Sequence, residues 1–207
     1  MATNVGKGGI QLTSPGVEGP MALDAQGCAV TVAGHGDWYE IAKRGNLFQA
    51  NAIITAPVIF TTAAGTGGPL IWNPLNSGYN VALLAVSFGL TVASTVVAAL
   101  GITGNTGQTS APTSTTAIDS NKNLLMGGRS PSSQAFRVGT PTNAGNFLMT
   151  FGDLDTGAIT TTFGGMNWVE LKGGVIAPPG TWVSVAASAT ATTAALNINL
   201  VYEEVPV

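Results

Sequence analysis

The sequence predicts an all-β fold, an antiparallel β-sandwich with long Gly/Ser/Thr-rich loops, and three observations carry that reading. Short stretches rich in β-branched residues alternate between apolar and polar positions, as one-sided strands do. They are punctuated by 28 Gly and 11 Pro, the residues that break strands and form turns. Long amphipathic helical stretches with a charged face are missing. A chain of 207 residues is long enough for one sizeable core, so the expected organisation is a single domain over 1–207 with an extended N-terminal segment of about 1–27.

In chain order, the expected strands are Cys28 to Ala33, Leu47 to Ile54, Pro57 to Thr62, Leu70 to Asn73, Tyr79 to Leu90, Ala93 to Ile102, Asn146 to Phe151, Asn167 to Leu171, Thr181 to Ala189 and Ala195 to Glu203. The last alternates most clearly. Leu196, Ile198, Leu200 and Tyr202 share one face, and Asn197, Asn199 and Glu203 share the other, because successive side chains on a strand point to opposite sides. Val183, Val185 and Ala187 alternate in the same way with Trp182, Ser184 and Ala186. The small residues Ser188 to Thr193 can turn between these two segments, so they are expected to pair antiparallel. Pro178, Pro179 and Gly180 stop one strand and start the next, and Trp72 closes a strand before Asn73-Pro74.

Two stretches, Gly104 to Thr116 (GNTGQTSAPTSTT) and Gly127 to Gly145 (GGRSPSSQAFRVGTPTNAG), are turn-forming and read as long loops or an insertion. Loops of that length in a compact domain carry function, lie against something, or are mobile connections. The uncharged run Val81 to Ile102 is long enough to cross a bilayer as a helix. However, Ser87, Gly89, Thr91, Ser94 and Thr95 occupy its centre, and no Lys or Arg flanks it. Two strands joined near Thr91 to Ser94 fit it better, the first apolar on both faces and so expected to be a central strand buried on both sides.

Charge narrows the function classes. Lys, Arg, Asp and Glu make up 8% of the chain against a 45% hydrophobic share, where an ordinary soluble domain carries roughly 25% charge. Burial on that scale offsets ordering entropy, so the chain folds. A low-charge surface suits dry packing against protein, since charge is depleted from interface cores; the expectation is a homo-oligomeric subunit. Lys7, Lys43, Arg44, Lys122, Arg129, Arg137 and Lys172 never cluster beyond a pair, which argues against nucleic acid as a partner. Cys28 is the only cysteine, so no intrachain disulfide forms. Met1 to Leu12 lacks the charged-then-apolar pattern of a secretory signal, so synthesis in a cytosol is expected.

Candidate chemistry is sparse, and the expectation is that the protein is not an enzyme and holds no cofactor or metal. His35, in AGHGDW, is the only histidine and has no nucleophile motif beside it, and Cys28 opens an alternating strand where a buried inert thiol is expected. Asp119, Asn121 and Asn123 imitate the first ligands of a calcium loop, but Leu124 and Ser130 replace the turn glycine and the bidentate glutamate. Asp153 and Asp155 in GDLDTG read as a solvated turn. Glu203 and Glu204 are adjacent, so a strand sends them to opposite faces, and near Pro206 they read as a charged terminus that discourages edge pairing. GTGGP at Gly65 to Pro69 lacks the Lys-Ser/Thr of a phosphate loop and reads as a tight turn.

Three segments carry a resemblance: Arg44 to Phe48 (RGNLF), Leu70 to Leu90 (LIWNPLNSGYNVALLAVSFGL) and Gly173 to Pro206 (GGVIAPPGTWVSVAASATATTAALNINLVYEEVP). Together they resemble the structural proteins of tailed-phage virions, of the capsid-decorating or cement type. The resemblance implies a jelly-roll sandwich, homo-oligomers (often trimers) bound to the major capsid protein of an icosahedral head, and location in a virion assembled in the host cytoplasm. The low charge is unusual for a decorating surface facing water, which keeps a tube or filament subunit in view. A glycan- or receptor-binding module using Trp38, Tyr39, Trp168 and Trp182 as stacking platforms is the other alternative.

Overall fold

The computed structural model describes residues 38–55, 66–92, 94–118, 120–154, 167–189 and 194–207. The expected strands Cys28 to Ala33 and Pro57 to Thr62, and the expected extended segment of about 1–27, lie outside the described residues. Contacts divide the chain into Met1–Tyr39 and Glu40–Val207, and the second unit holds the sandwich.

Among the described residues a short helix, α1 (Tyr39–Lys43), precedes eleven strands: β1 (Leu47–Thr55), β2 (Thr66–Asn73), β3 (Tyr79–Val92), β4 (Ala98–Asn105), β5 (Thr113–Ala117), β6 (Ser120–Asn123), β7 (Gln134–Thr140), β8 (Asn146–Leu154), β9 (Asn167–Ala177), β10 (Thr181–Ala187) and β11 (Ala195–Pro206). They form an antiparallel sandwich of one five-stranded sheet, β6-β1-β11-β3-β9, and one six-stranded sheet, β5-β7-β2-β10-β4-β8. Helix α1 was not foreseen; it ends at Gly45, whose φ of 71° supplies the left-handed step that closes a helix.

Alternation builds the core. Phe48, Ala50, Ala52 and Ile54 of β1, Leu196, Ile198, Leu200 and Tyr202 of β11, and Val81, Leu83, Val86 and Phe88 of β3 meet Ile71, Leu100, Ile102, Val183, Val185 and Ala187 of the other sheet. Each large side chain buried here contributes about 1.5–3 kcal/mol. The face assignment for the terminal strand therefore holds, and β11 sits in the middle of its sheet between β1 and β3. Strand β3 is buried at every position from Val81 to Phe88, as its unbroken apolar run requires, although it lies second from the edge rather than at the centre.

The expected pairing of the last two strands is wrong. β10 pairs with β2 and β4, β11 pairs with β1 and β3, and the connection between them crosses from one sheet to the other. The physical reason is that both strands carry an apolar inner face, and placing them in opposite sheets buries both faces in the shared core. The run Val81 to Ile102 likewise divides between the two sheets, with β4 starting at Ala98 rather than at Ala93. No helix among the described residues is long and apolar enough to cross a membrane.

The two turn-rich stretches belong to one insertion between β4 and β8. Each was read as loop, yet each contributes a strand, β5 and β7, and these extend the six-stranded sheet beyond β2 while β6 pairs with β1. The Gly65 to Pro69 run was expected to be a turn; from Thr66 it is strand, pairing Thr66 with Gly139 and Gly67 with Val138 before an irregularity. The insertion also covers the outer face of its sheet. Leu70, Trp72 and Trp182 form a second apolar cluster there with Phe136 against it, Trp72 Nε1 donates to Gln108 O at 3.0 Å, and buried Gln108 accepts at Oε1 from Thr142 N at 2.7 Å.

Candidate functional site

The most organised polar group in the sandwich surrounds Glu204. This residue was expected at a charged edge, and the structure corrects that: β11 is central, and Glu204 is wholly buried. Its carboxylate accepts from Arg129 Nη1 at 2.7 Å, Ser132 N at 3.1 Å, Ser133 N at 2.7 Å and Ser133 Oγ at 2.8 Å. Arg129 Nη2 also donates to Asn46 Oδ1 at 3.1 Å, and its guanidinium carbon lies 4.8 Å from the Phe48 ring centre and 4.6 Å from that of Tyr79. Charged and aromatic partners together offset the cost of burying the ion pair. Glu203 points the other way, as expected for neighbours on a strand, and burial holds its carboxyl above the ordinary range against the opposing pull of Arg44.

Tyr202 extends the network, donating its hydroxyl to Asn121 Oδ1 at 3.0 Å and lying 3.1 Å from Ser133 Oγ. Burial raises the phenol well above its ordinary value. Asn123 Nδ2 donates to Gly45 O at 2.7 Å and Arg129 O at 3.1 Å, and Asn123 Oδ1 caps Leu125 N at 2.8 Å. Asn121 and Asn123, which imitate calcium ligands in the sequence, are thus the bracing of β6 and the following turn. The recess beside them, about 210 Å³ and lined by Lys122, Gly128 and Arg129, has its arginine neutralised by Glu204. No group of three His, Cys, Asp or Glu among the described residues is placed to hold a metal. His35, Cys28, Asp119 and Asp155 lie outside the described residues, and Asp153 is exposed on β8.

The second feature is apolar and on the surface. Strands β8 and β9 end their respective sheets, and they carry Phe147 (49% exposed), Leu148 (49%), Trp168 (49%) and Ile176 (59%). Leu148 and Ile176 line one notch of about 200 Å³ with Pro178 and Trp182, so the two edges lie on the same side of the sandwich. Among the described residues no large exposed apolar residue lies within β5, β6 or β7, but Leu124, Leu125 and Met126 (98% exposed) directly follow β6. Of the aromatics considered as stacking platforms, Trp168 is half exposed, whereas Trp182 is buried beneath the insertion and is no platform.

The chain matches no protein-family model, no curated protein and no solved structure.

Proposed function

We propose that the chain is a non-enzymatic structural subunit that self-associates, and that its setting is a virion, where it decorates or stabilises a capsid by packing on the lattice of the major capsid protein. The observation that carries self-association is the rim of β8 and β9: four half-exposed large apolar side chains on one side of a sandwich whose chain has only 8% charged residues. Contiguous exposed apolar groups mark interaction sites, and Leu148 and Ile176 share one notch on this side.

Strand order supports the virion setting. With β5, β6 and β7 set aside, the sheets are β1-β11-β3-β9 and β2-β10-β4-β8, and successive strands change sheet at every connection except β4 to β8. We read this wiring as a jelly roll, an architecture that includes viral capsid and lectin domains. Fold alone does not give function, so the setting rests on the wiring taken with the low share of charged residues. The lectin branch keeps a glycan-binding reading in view through half-exposed Trp168.

The test is quantitative mass spectrometry of gradient-purified particles from the host. The expected result is a fixed stoichiometry to the major capsid protein. Absence from the particles, together with a glycan-array signal that Trp168→Ala abolishes, overturns the virion reading in favour of the glycan-binding one.

A further inference from the structure

We infer that copies of this chain join head to tail, the apolar turn of Leu124, Leu125 and Met126 on one copy seating in the notch beside β8 and β9 of the next. This rests on the self-association reading and names the two surfaces that meet. The turn follows β6 and is braced by its own hydrogen bonds. Leu124 N donates to Leu47 O at 2.9 Å, Leu125 N donates to Asn123 Oδ1 at 2.8 Å, and Gly128 N closes a β-turn over residues 125–128 by donating to Leu125 O at 2.8 Å. Gly127 takes φ of 78°, the left-handed step that the third residue of a type II turn requires. Met126 is thereby held at the apex, 98% exposed, with Leu124 and Leu125 exposed beside it.

A preformed apex loses little freedom on binding, and methionine adapts its shape to irregular gaps at contact surfaces. The notch matches it in size and chemistry. Its lining includes Leu148, Ile176 and Pro178, which are exposed, and Gly104, Ala177 and Val183, which are buried. Its volume is about 200 Å³. An apolar cavity of about 150 Å³ takes the six carbons of benzene, so at that density the notch takes about eight non-hydrogen atoms. The Leu125 and Met126 side chains together supply that number. Among the described residues no charged side chain lines the notch, and none occurs in the turn from Leu124 to Gly128, so seating one in the other strands no buried charge.

Topology makes the occupant a second copy. Strands β6 and β9 end the same five-stranded sheet, four strand spacings or about 19 Å apart, so the turn after β6 cannot fill the notch beside β9 of its own chain. Lying at opposite ends, turn and notch also cannot be exchanged reciprocally by two copies across a two-fold axis. The contact is therefore heterologous, and on repetition it closes a ring of three or more copies or runs on as a filament. The size is adequate. Nine residues of β8 at ~3.3 Å each, and two stacked sheets about 20 Å deep with their side chains, give ~600 Å² on the side that holds the notch. Matched by an equal area around the turn, that is ~1,200 Å² in total, the lower bound of stable specific interfaces.

Complementation tests this on the full chain, with mass read by light scattering. The wild type is expected at three or more times the 20.8 kDa protomer mass. Met126→Lys and Ile176→Lys, both at exposed positions, are each expected at the protomer mass with an unchanged far-ultraviolet spectrum. Mixed in equal amounts, they are expected at twice the protomer mass and no more, because the intact turn of Ile176→Lys still seats in the intact notch of Met126→Lys. In a Cys28→Ser background, Met126→Cys and Ile176→Cys chains are expected to crosslink when mixed and not separately. A wild-type oligomer that saturates at two copies, an oligomer that persists in either lysine variant, or a mixture that stays at the protomer mass overturns the turn-in-notch contact and leaves self-association standing. Co-sedimentation with phosphatidylglycerol vesicles that Met126→Lys abolishes, while the oligomer persists in that variant, overturns it in favour of a bilayer as the occupant of the turn. A wild type at the protomer mass overturns both the contact and the self-association reading.

Discussion

Glu204→Ala removes the one acceptor shared by Arg129, Ser132 and Ser133, four hydrogen bonds in all. It also leaves the Arg129 cation held between Phe48 and Tyr79 without a counter-charge. Removing one member of a fully buried ion pair costs about 3–5 kcal/mol. The Arg129 side chain is 31% exposed, so water recovers part of its solvation and the cost falls to the lower end, about 3 kcal/mol. For a chain of this length that is a fall of ~6–12 °C in Tm. Glu204→Gln keeps one acceptor but turns an amide N–H₂ toward a donor, at about 2 kcal/mol. Urea unfolding followed by tryptophan fluorescence gives both values. A double-mutant cycle with Arg129→Met isolates the pair. A loss under about 1 kcal/mol for Glu204→Ala, the worth of one ordinary hydrogen bond, refutes the reasoning that this carboxylate ties the insertion to β11.

Three further outcomes follow from the core and its surroundings. Ile198→Asp places an unpaired charge at a position with no solvent exposure and should abolish folding, while Asn197→Asp, on the outer face, keeps its acceptor for Asn51 Nδ2 and should be mild; equal soluble yield and Tm would contradict the face assignment. Gly145→Ala sets a Cβ against Thr103 Oγ1 and, at 2.8 Å, the Trp182 ring, so calorimetry should register about 1–3 kcal/mol of overpacking, and an unchanged Tm would show that the insertion does not press on Trp182. Because burial raises Tyr202 above its ordinary value, the unfolded phenol ionises first. Its stabilisation is full below pH ~10 and is lost as pH climbs through the folded value; alkaline titration of stability should therefore flatten in Tyr202→Phe, and identical profiles would remove the phenol from the account.

Fold class was legible because period-two alternation survives in β1, β10 and β11, where one face meets the core. Pairing was not legible: Ser188 to Thr193 has the composition of a hairpin turn, and nothing local records that β10 and β11 belong to different sheets. The insertion strands were missed for a related reason. β7 (QAFRVGT) is only partly buried and β6 is SNKN; both are held by neighbours rather than by their own apolar pattern. Glu204 was misread because charge near a terminus is ordinarily solvated. Its only sequence signal was its place in step with Leu200 and Tyr202 on the inner face, and a buried carboxylate at such a position requires a cation, here Arg129, 75 residues away along the chain. The apolar rim was half visible: Asn146 to Phe151 was recognised as a strand, but its position at a sheet end depends on the whole topology.

Sedimentation velocity of the full-length protein over a dilution series tests the central claim most directly. Self-association through a rim rich in apolar groups predicts a species heavier than the 20.8 kDa protomer that gives way to protomer only on dilution, with little response to salt because few charges take part. A single protomer-sized boundary at every concentration would contradict it.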